Sequence, residues 1–291
     1  MTMRVTIVGG SGFVGGALTS TLLALNHEIT LLSRSSVARD LSSRVKVRVY
    51  KPQHFSAELL SDCDCVINLV GILNKRILHR QDFHDAHVEL VRQIVNACRS
   101  AGIRRYLHVG ALNANPQGPS EYLKTKYAGE RLAFEADSLD VTSFRPSVIF
   151  GPEDSFLNRF ARLLKLLPAP IFPLACADTL FAPVYVDELA TQIVESIDDD
   201  KTVGQCINLC GPKQYTLEQI VSYVAHLLGK RVKIIALPDS IAKLQGRLCD
   251  FVPGRPFSFD NYLSLQVDSI CSESDISCKT PMEDIAQNYI K

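Results

Sequence analysis

The sequence has no excess of charge of either sign: Lys plus Arg and Asp plus Glu number 31 each in 291 residues. With no global field to steer them, partners held by long-range electrostatics are not expected, nucleic acid first among them. No C-x-x-C pair occurs among the nine cysteines. Cys63-x-Cys65 opens a hydrophobic strand pattern without a matching second pair, so no metal framework is expected there. Cys98, Cys206 and Cys210 lie inside apolar runs, which reads as buried, reduced thiols of a cytoplasmic protein. No apolar run is long enough to span a bilayer, because the longest nearly uninterrupted one, 166–177, contains Pro168, Pro170 and Pro173. The first strand pattern begins at Arg4 and leaves no room ahead of it for a signal or transit peptide.

What is present is a chain that is 46% hydrophobic, enough to bury a large core. Short β-rich runs at 4–8, 28–33, 45–50, 65–70 and 104–109 alternate with segments of helical periodicity. Consecutive βα units require crossover helices on both faces of a parallel sheet, so the expected fold is α/β, a Rossmann-like doubly wound parallel sheet. Beyond Arg145-Pro146 the alternation breaks into Pro-rich connections. A strand-helix pair around 181–197, a strand at 205–209 and a helix after Thr216 follow. The expected division is a dinucleotide-binding domain over 1–150, with later segments contributing, and a smaller α/β substrate or partner lobe over 151–291.

The strongest local signal is a buried strand running straight into Gly9-Gly10-Ser11-Gly12-Phe13-Val14-Gly15 and then a helix. Gly9 suits the tight turn, Gly12 the approach of a pyrophosphate and Gly15 close helix packing, while the helix N-terminus offers N–H groups to the anion. The second strand ends Ser33-Arg34, where an NAD-binding fold places an acidic residue for the ribose 2'-hydroxyl. A guanidinium suits a 2'-phosphate instead, with Ser33 and Arg39 completing the pocket. NADP(H) is therefore the expected cofactor, with NAD(H) the other candidate.

Tyr122 and Lys126 stand four residues apart, on one face of an expected helix. A cation so placed would lower the phenol pKa and let Tyr122 exchange a proton with a carbonyl or alcohol. With the glycine loop and the runs 68–71, 122–130, 145–154 and 183–190, these residues make the sequence resemble the extended and atypical short-chain dehydrogenase/reductases, and within them the NADPH-binding accessory subunits of respiratory complex I and their bacterial relatives. The resemblance implies that Leu69, Val70, Gly71 and Val109 line the cofactor, that Tyr122 and Lys126 face its nicotinamide, and that Pro146 and Val148 form the far wall. It also marks three departures. Gly110 stands where the superfamily carries a catalytic Ser or Thr, which Asn113 or Ser120 would have to replace. His87 stands in place of a helix Asn that serves a proton relay, and Lys51-Pro52 in place of an Asp that contacts adenine.

The functions so implied are an NADP(H)-dependent reductase of an apolar carbonyl or quinone-related compound, or a non-catalytic NADP(H)-binding assembly factor at the inner face of a membrane. A sugar-nucleotide epimerase or dehydratase is a weaker third. His79, His84 and His87 with Asp82 and Asp85 are expected as helix polarity rather than a metal cluster. The basic and apolar run 73–80 reads either as a closing segment or as an exposed loop. Phe156, Phe160, Leu163, Leu164 and Leu167 recur at helical spacing beside Arg159, Arg162 and Lys165. They are expected to cover the second lobe, with a membrane-surface or partner-docking helix as the alternative.

Overall fold

The computed structural model describes residues 2–35, 42–52, 54–73, 82–166, 170–251, 257–273 and 275–291. Arg39, the run 74–80 with its His79, and Leu167 lie outside the described residues. The elements are β1 (Arg4–Val8), α1 (Phe13–Ala24), β2 (Glu28–Ser33), β3 (Val45–Val49), β4 (Cys65–Asn68), α2 (Leu90–Ala101), β5 (Arg105–Val109), α3 (Glu121–Phe134) and β6 (Asp140–Pro146). They continue with β7 (Ile149–Phe150), α4 (Leu157–Leu166), β8 (Ile171–Leu174), β9 (Leu180–Phe181), β10 (Val184–Tyr185), α5 (Val186–Glu195), β11 (Cys206–Cys210) and β12 (Tyr215–Thr216). The last are α6 (Leu217–Leu227), β13 (Lys233–Ala236), α7 (Asp239–Cys249), α8 (Phe259–Ser264), β14 (Ile276–Ser277) and α9 (Met282–Ala286).

The main sheet has eight strands in the order β14-β11-β6-β5-β4-β1-β2-β3, and the pairings from β3 to β6 are all parallel. Its run 3-2-1-4-5-6 reverses direction between β1 and β4. That reversal opens a crevice at the carboxyl ends of the two strands, where doubly wound sheets bind their ligands. The five expected strands are found within two residues of their expected ends; β1, β2, β4 and β5 are mostly buried by the parallel sheet, while β3, at its edge, alternates Val with Lys and Arg and is only half-buried.

The chain divides into two compact units. The first comprises residues 1–116, 124–145 and 187–207, and the second 117–123, 146–186 and 208–291. In the first, Val8, Leu32, Val66, Ile94, Tyr106 and Val141 belong to one buried cluster. In the second, Phe150, Leu157, Leu164, Phe181, Ile220 and Val224 do the same. Phe156, Phe160 and Leu163 pack against that second cluster, so the aromatic stripe of α4 is core cover, as the first of the two expected readings had it. α6 starts on a capping box in which the Thr216 hydroxyl and the Gln219 side chain each satisfy the other's backbone N–H.

Two of the cysteines depart from expectation. Cys210, at the end of β11, is disulfide-bonded to Cys271, and Cys206 is exposed. The partners are 61 residues apart in sequence and meet because β11 and the segment near Ser269 are both held by Ser147: its N–H donates to the Leu209 carbonyl and its hydroxyl to that of Ser269. No spacing rule reveals such a pair. Cys98 is a buried thiol, as expected, and Cys65 is buried as well.

Between β4 and α2 the chain makes a π-helical turn at Asp85–Glu89. There the His87 carbonyl comes so close to α3 that a Cβ on Gly129 would lie 1.8 Å from its oxygen. Gly129→Ala must therefore push two backbones apart, with an expected cost of about 2–3 kcal/mol. Gly102→Ala is the control: its φ is +72° with nothing near, so only the left-handed conformation is penalised, by about 1–2 kcal/mol. Chemical denaturation of the two variants measures the difference.

Candidate functional site

In the first unit the glycine loop has the form its sequence requires. Gly9 adopts φ +83°, and a Cβ there would lie 3.1 Å from Val70 Cγ2 across the β1/β4 crevice. A Cβ on Gly15 would lie 2.3 Å from the Gly10 carbonyl oxygen, and one on Gly10 would lie 2.6 Å from Leu31 Cδ2. These two glycines seat α1 on the sheet. Around Gly12 the nearest atom to such a Cβ is 3.5 Å away, which leaves the loop open at that point. No side chain caps the N-terminus of α1 and its first turn holds no carboxylate, so the loop and helix suit a pyrophosphate. Ser11 and Ser33 join their hydroxyls at 3.0 Å, and Arg34 is exposed just beyond β2. No acidic residue stands at the end of that strand.

The crest of β4 is fixed from below. Asn68, fully buried, donates to the Tyr106 hydroxyl at 3.1 Å and lies 3.3 Å from His108 Nδ1, while its Oδ1 accepts the Val70 N–H at 3.0 Å. That local turn holds Leu69, Val70 and Gly71 over the crevice. Lys126 Nζ donates to the Val109 carbonyl at 2.8 Å, and a Cβ on Gly71 would lie 3.1 Å from the same Nζ. His87 Nε2 accepts the Ile72 N–H at 3.1 Å. The other ring nitrogen therefore carries the proton, and it faces Thr125 Oγ1 at 2.9 Å. The structure thus brings Gly9, Val70, Gly71, His87, Val109 and Lys126 together around the carboxyl ends of β1, β4 and β5.

Charge in this region is set by burial. Desolvation, and then the Lys126 and His108 charges, push His87 down to about 2; desolvation and Lys126 push His108 down to about 3. Both are neutral at physiological pH. Lys126 is pushed down to about 8 by desolvation, with Glu130 opposing. His87 is turned inward onto Ile72 and Thr125 while His84 is exposed, so the two do not share a metal, and among the described residues no group of three His, Cys, Asp or Glu could hold one.

The largest departure from expectation lies at Gly110. A Cβ there would lie 2.9 Å from Glu130 Oε2 and 3.2 Å from Ser143 Oγ, so the side-chain position is crowded by the carboxylate of Glu130. That group is 0% exposed. It accepts a hydrogen bond from Ser143 Oγ at 2.6 Å and pairs with the Arg145 guanidinium through Nε at 2.9 Å and through Nη2. Burial pushes the Glu130 carboxyl up, but the hydrogen bonds from Arg145 and Ser143 outweigh it and hold it below its ordinary value. Sequence reasoning missed this cluster, although Glu130 follows Lys126 at the same spacing by which Lys126 follows Tyr122.

Tyr122, Ser120, Pro146 and Val148 belong to the second unit. Asp260, in the first turn of α8, caps α3: its carboxylate accepts the N–H groups of Glu121 at 2.7 Å and Tyr122 at 3.2 Å. Desolvation, and then that carboxylate, push the Tyr122 phenol up to about 12. This corrects the expectation of a lowered phenol pKa. A negative helix cap sits where the pattern promised only a cation. Ser120 Oγ accepts the Leu123 N–H at 3.2 Å and the Ser264 hydroxyl at 2.8 Å, so it serves as a helix cap. Asn113, in the first unit, is held at φ +65°. Pro146 and Val148 flank Ser147, and the Val148 carbonyl accepts the Val184 N–H. The second unit also holds pockets of about 350 and 390 Å³, lined around Arg162 and Tyr289 and around Cys176 and Asp239, and neither includes a residue of the expected nucleotide set.

Two outcomes follow from this arrangement. The unfolded chain protonates its histidines near pH 6.5, whereas His87 and His108 resist protonation down to about 2 and 3. Their contribution to stability is full above pH 6.5 and is lost as pH falls through and below that value. The unfolding free energy should drop by about 1.4 kcal/mol per pH unit for each histidine between pH 6 and 5, and His108→Gln should remove about half of that slope in pH-dependent urea melts. Second, Gly110→Ser, which restores the family hydroxyl on paper, should cost about 1–3 kcal/mol in the same melts by pushing against the fixed Glu130 carboxylate.

A model of the NAD dependent epimerase/dehydratase family matches residues 5–210. The mouse mitochondrial protein "NADH dehydrogenase [ubiquinone] 1 alpha subcomplex subunit 9" is 28% identical over 264 residues, covering 87% of this chain and 68% of that one. A ceramide reductase of Caulobacter vibrioides is 26% identical over 252 residues, covering 84% and 77%. Among solved structures, MoeE5 in complex with UDP-glucuronic acid and NAD superposes with a TM-score of 0.67 at 19% identity, covering 80% of this chain and 85% of that one, which is a likeness of fold. With the glycine loop, the strand order and the match over most of its length, the chain belongs to the NAD dependent epimerase/dehydratase family.

Proposed function

We propose that this chain binds NADP(H) in preference to NAD(H), and that the dinucleotide serves chiefly as a structural element of a protein that docks on a larger, respiratory-complex-like assembly. The observation that carries this reading is the Glu130 carboxylate crowding the side-chain position of Gly110. Binding and chemistry use different residues here, and only the chemistry is impaired.

On the binding side, the loop from Gly9 to Gly15 and the N-terminus of α1 would hold the pyrophosphate, and Ser33 and Arg34 the 2'-phosphate. Leu69, Val70, Gly71 and the Lys126 ammonium would hold the ribose nearer the nicotinamide. When bound, the dinucleotide would supply hydride chemistry. On the chemical side, a Ser or Thr hydroxyl is missing at 110, and Ser120 is committed to capping α3. Losing one positioned donor costs roughly a hundredfold or more in rate. Tyr122, pushed up to about 12, is also a weaker acid than an activated phenol would be.

A second reading is favoured by one feature, the Tyr122 and Lys126 pair on successive turns of α3, and by the relative that bears the name ceramide reductase. In that reading the chain reduces an apolar carbonyl or quinone-related compound slowly, with Tyr122 donating the proton and Lys126 holding the ribose.

Calorimetric titration of the cofactor-stripped protein separates cofactor from chemistry. A charge-assisted hydrogen bond contributes about 1.5–3 kcal/mol, so NADPH should bind about ten- to a hundredfold more tightly than NADH. Arg34→Glu should abolish that preference while leaving NADH binding nearly intact. Equal affinities for the two nucleotides in the unmodified protein would refute the NADP(H) assignment. Absorbance at the reduced-nicotinamide band then tests turnover: consumption of NADPH with long-chain ketones or quinones that disappears in Tyr122→Phe would install the reductase reading in place of the structural one.

A further inference from the structure

We propose that α7 docks this protein on the surface of an anionic lipid bilayer. The helix carries its small residues inward and its large apolar residues outward. Ala242 and Gly246 are its buried positions, and a Cβ on Gly246 would lie 3.1 Å from Phe259 Cα, so α7 meets α8 at close backbone distance. Ile241, Leu244 and Leu248 are 50%, 55% and 60% exposed, and Phe251, just past the helix, is 88% exposed. Ile241, Leu244 and Leu248 are spaced by three and four residues, which places them in one stripe along the helix.

A single exposed leucine needs no explanation, but a row of them on a helix whose inner face is Ala and Gly does. Lys243 and Arg247, both exposed and one turn apart, run along an edge of the stripe. The Arg247 guanidinium lies 5.2 Å over the Phe259 ring, its stem laid along the protein. Asp239, at the helix start, accepts the Tyr262 hydroxyl at 2.6 Å. An aliphatic stripe bordered by two cations is the pattern of a helix lying in the plane of a membrane interface, where apolar side chains enter the acyl boundary and the cations meet lipid phosphates. A second copy of the chain laid on this face would bring the same cations toward one another. The helix for which a membrane-surface role was the alternative to covering the second unit, α4, does not compete for it, since Phe160 and the preceding Phe156 pack against the core of that unit.

The test is cosedimentation of the full chain with phosphatidylcholine vesicles, with and without a minority of phosphatidylglycerol, at low and high salt. The protein should pellet with the anionic vesicles and release as salt rises. Leu244→Ser/Leu248→Ser should weaken binding about tenfold or more, and Lys243→Gln about fivefold. All three residues are exposed, so both variants should keep the parent's circular dichroism and melting temperature. Failure of the unmodified protein to pellet with anionic vesicles would overturn the proposal, as would binding unchanged in Leu244→Ser/Leu248→Ser. A concentration-dependent dimer in light scattering that this double variant splits would assign the face to a second copy and overturn it equally.

Discussion

Glu130 is an ionised carboxylate with no access to water, and such a group persists only if its charge is met on the spot, since removing a carboxylate from water costs several kcal/mol even after relaxation. Arg145 and Ser143 meet it from β6, one by an ion pair and the other by a short hydrogen bond. The carboxylate reaches them from α3, across the space beside the end of β5. Any side chain at Gly110 would enter that space. The requirement to satisfy one buried charge therefore decides the identity of residue 110. It also puts a cost on any hydroxyl placed where the family's chemistry would use one.

Binding a dinucleotide asks for little from that region. It would need an open loop at Gly12, N–H groups at the start of α1, a crest at Asn68 shaped by a local turn, and a cation close to Gly71; the first three rest on glycine conformation or on hydrogen bonds remote from Glu130, and only the cation feels its charge. Proton transfer asks for more, because a phenol must be acidic and a second donor must be aimed at the substrate. Here the phenol sits on a helix terminus capped by a carboxylate, and the nearest serine in sequence is itself a cap.

The fold was legible because the parallel strands are short β-rich runs separated by helical periodicity and the glycine loop lies immediately after the first of them. That combination has few other solutions. The conformation of the glycine loop was legible for the same reason, since glycine positions announce backbone conformation directly. The phenol's protonation was not. Lys126 was visible at four residues' remove, whereas Asp260, 138 residues away from Tyr122, reaches it only through α8. The disulfide partner of Cys210 was hidden likewise, because no spacing links it to Cys271, 61 residues on. The exposed stripe of α7 was hidden too, because its composition alone would have made it core.

One consequence of Glu130 runs against its effect at Gly110. Tyr122, Lys126 and Glu130 follow one another at successive turns of α3, so the helix that carries the lysine also delivers a negative charge one turn beyond it. Desolvation drives Lys126 toward neutrality, and Glu130 acts in the opposite direction, leaving the ammonium pushed down only to about 8. At neutral pH the lysine therefore remains mostly charged, donating to Val109 beside Gly71. Without the carboxylate the same burial would carry it further toward the uncharged amine, which binds a ribose hydroxyl less strongly than a cation does. The carboxylate that crowds Gly110 thus also sustains the charge of the lysine beside Gly71.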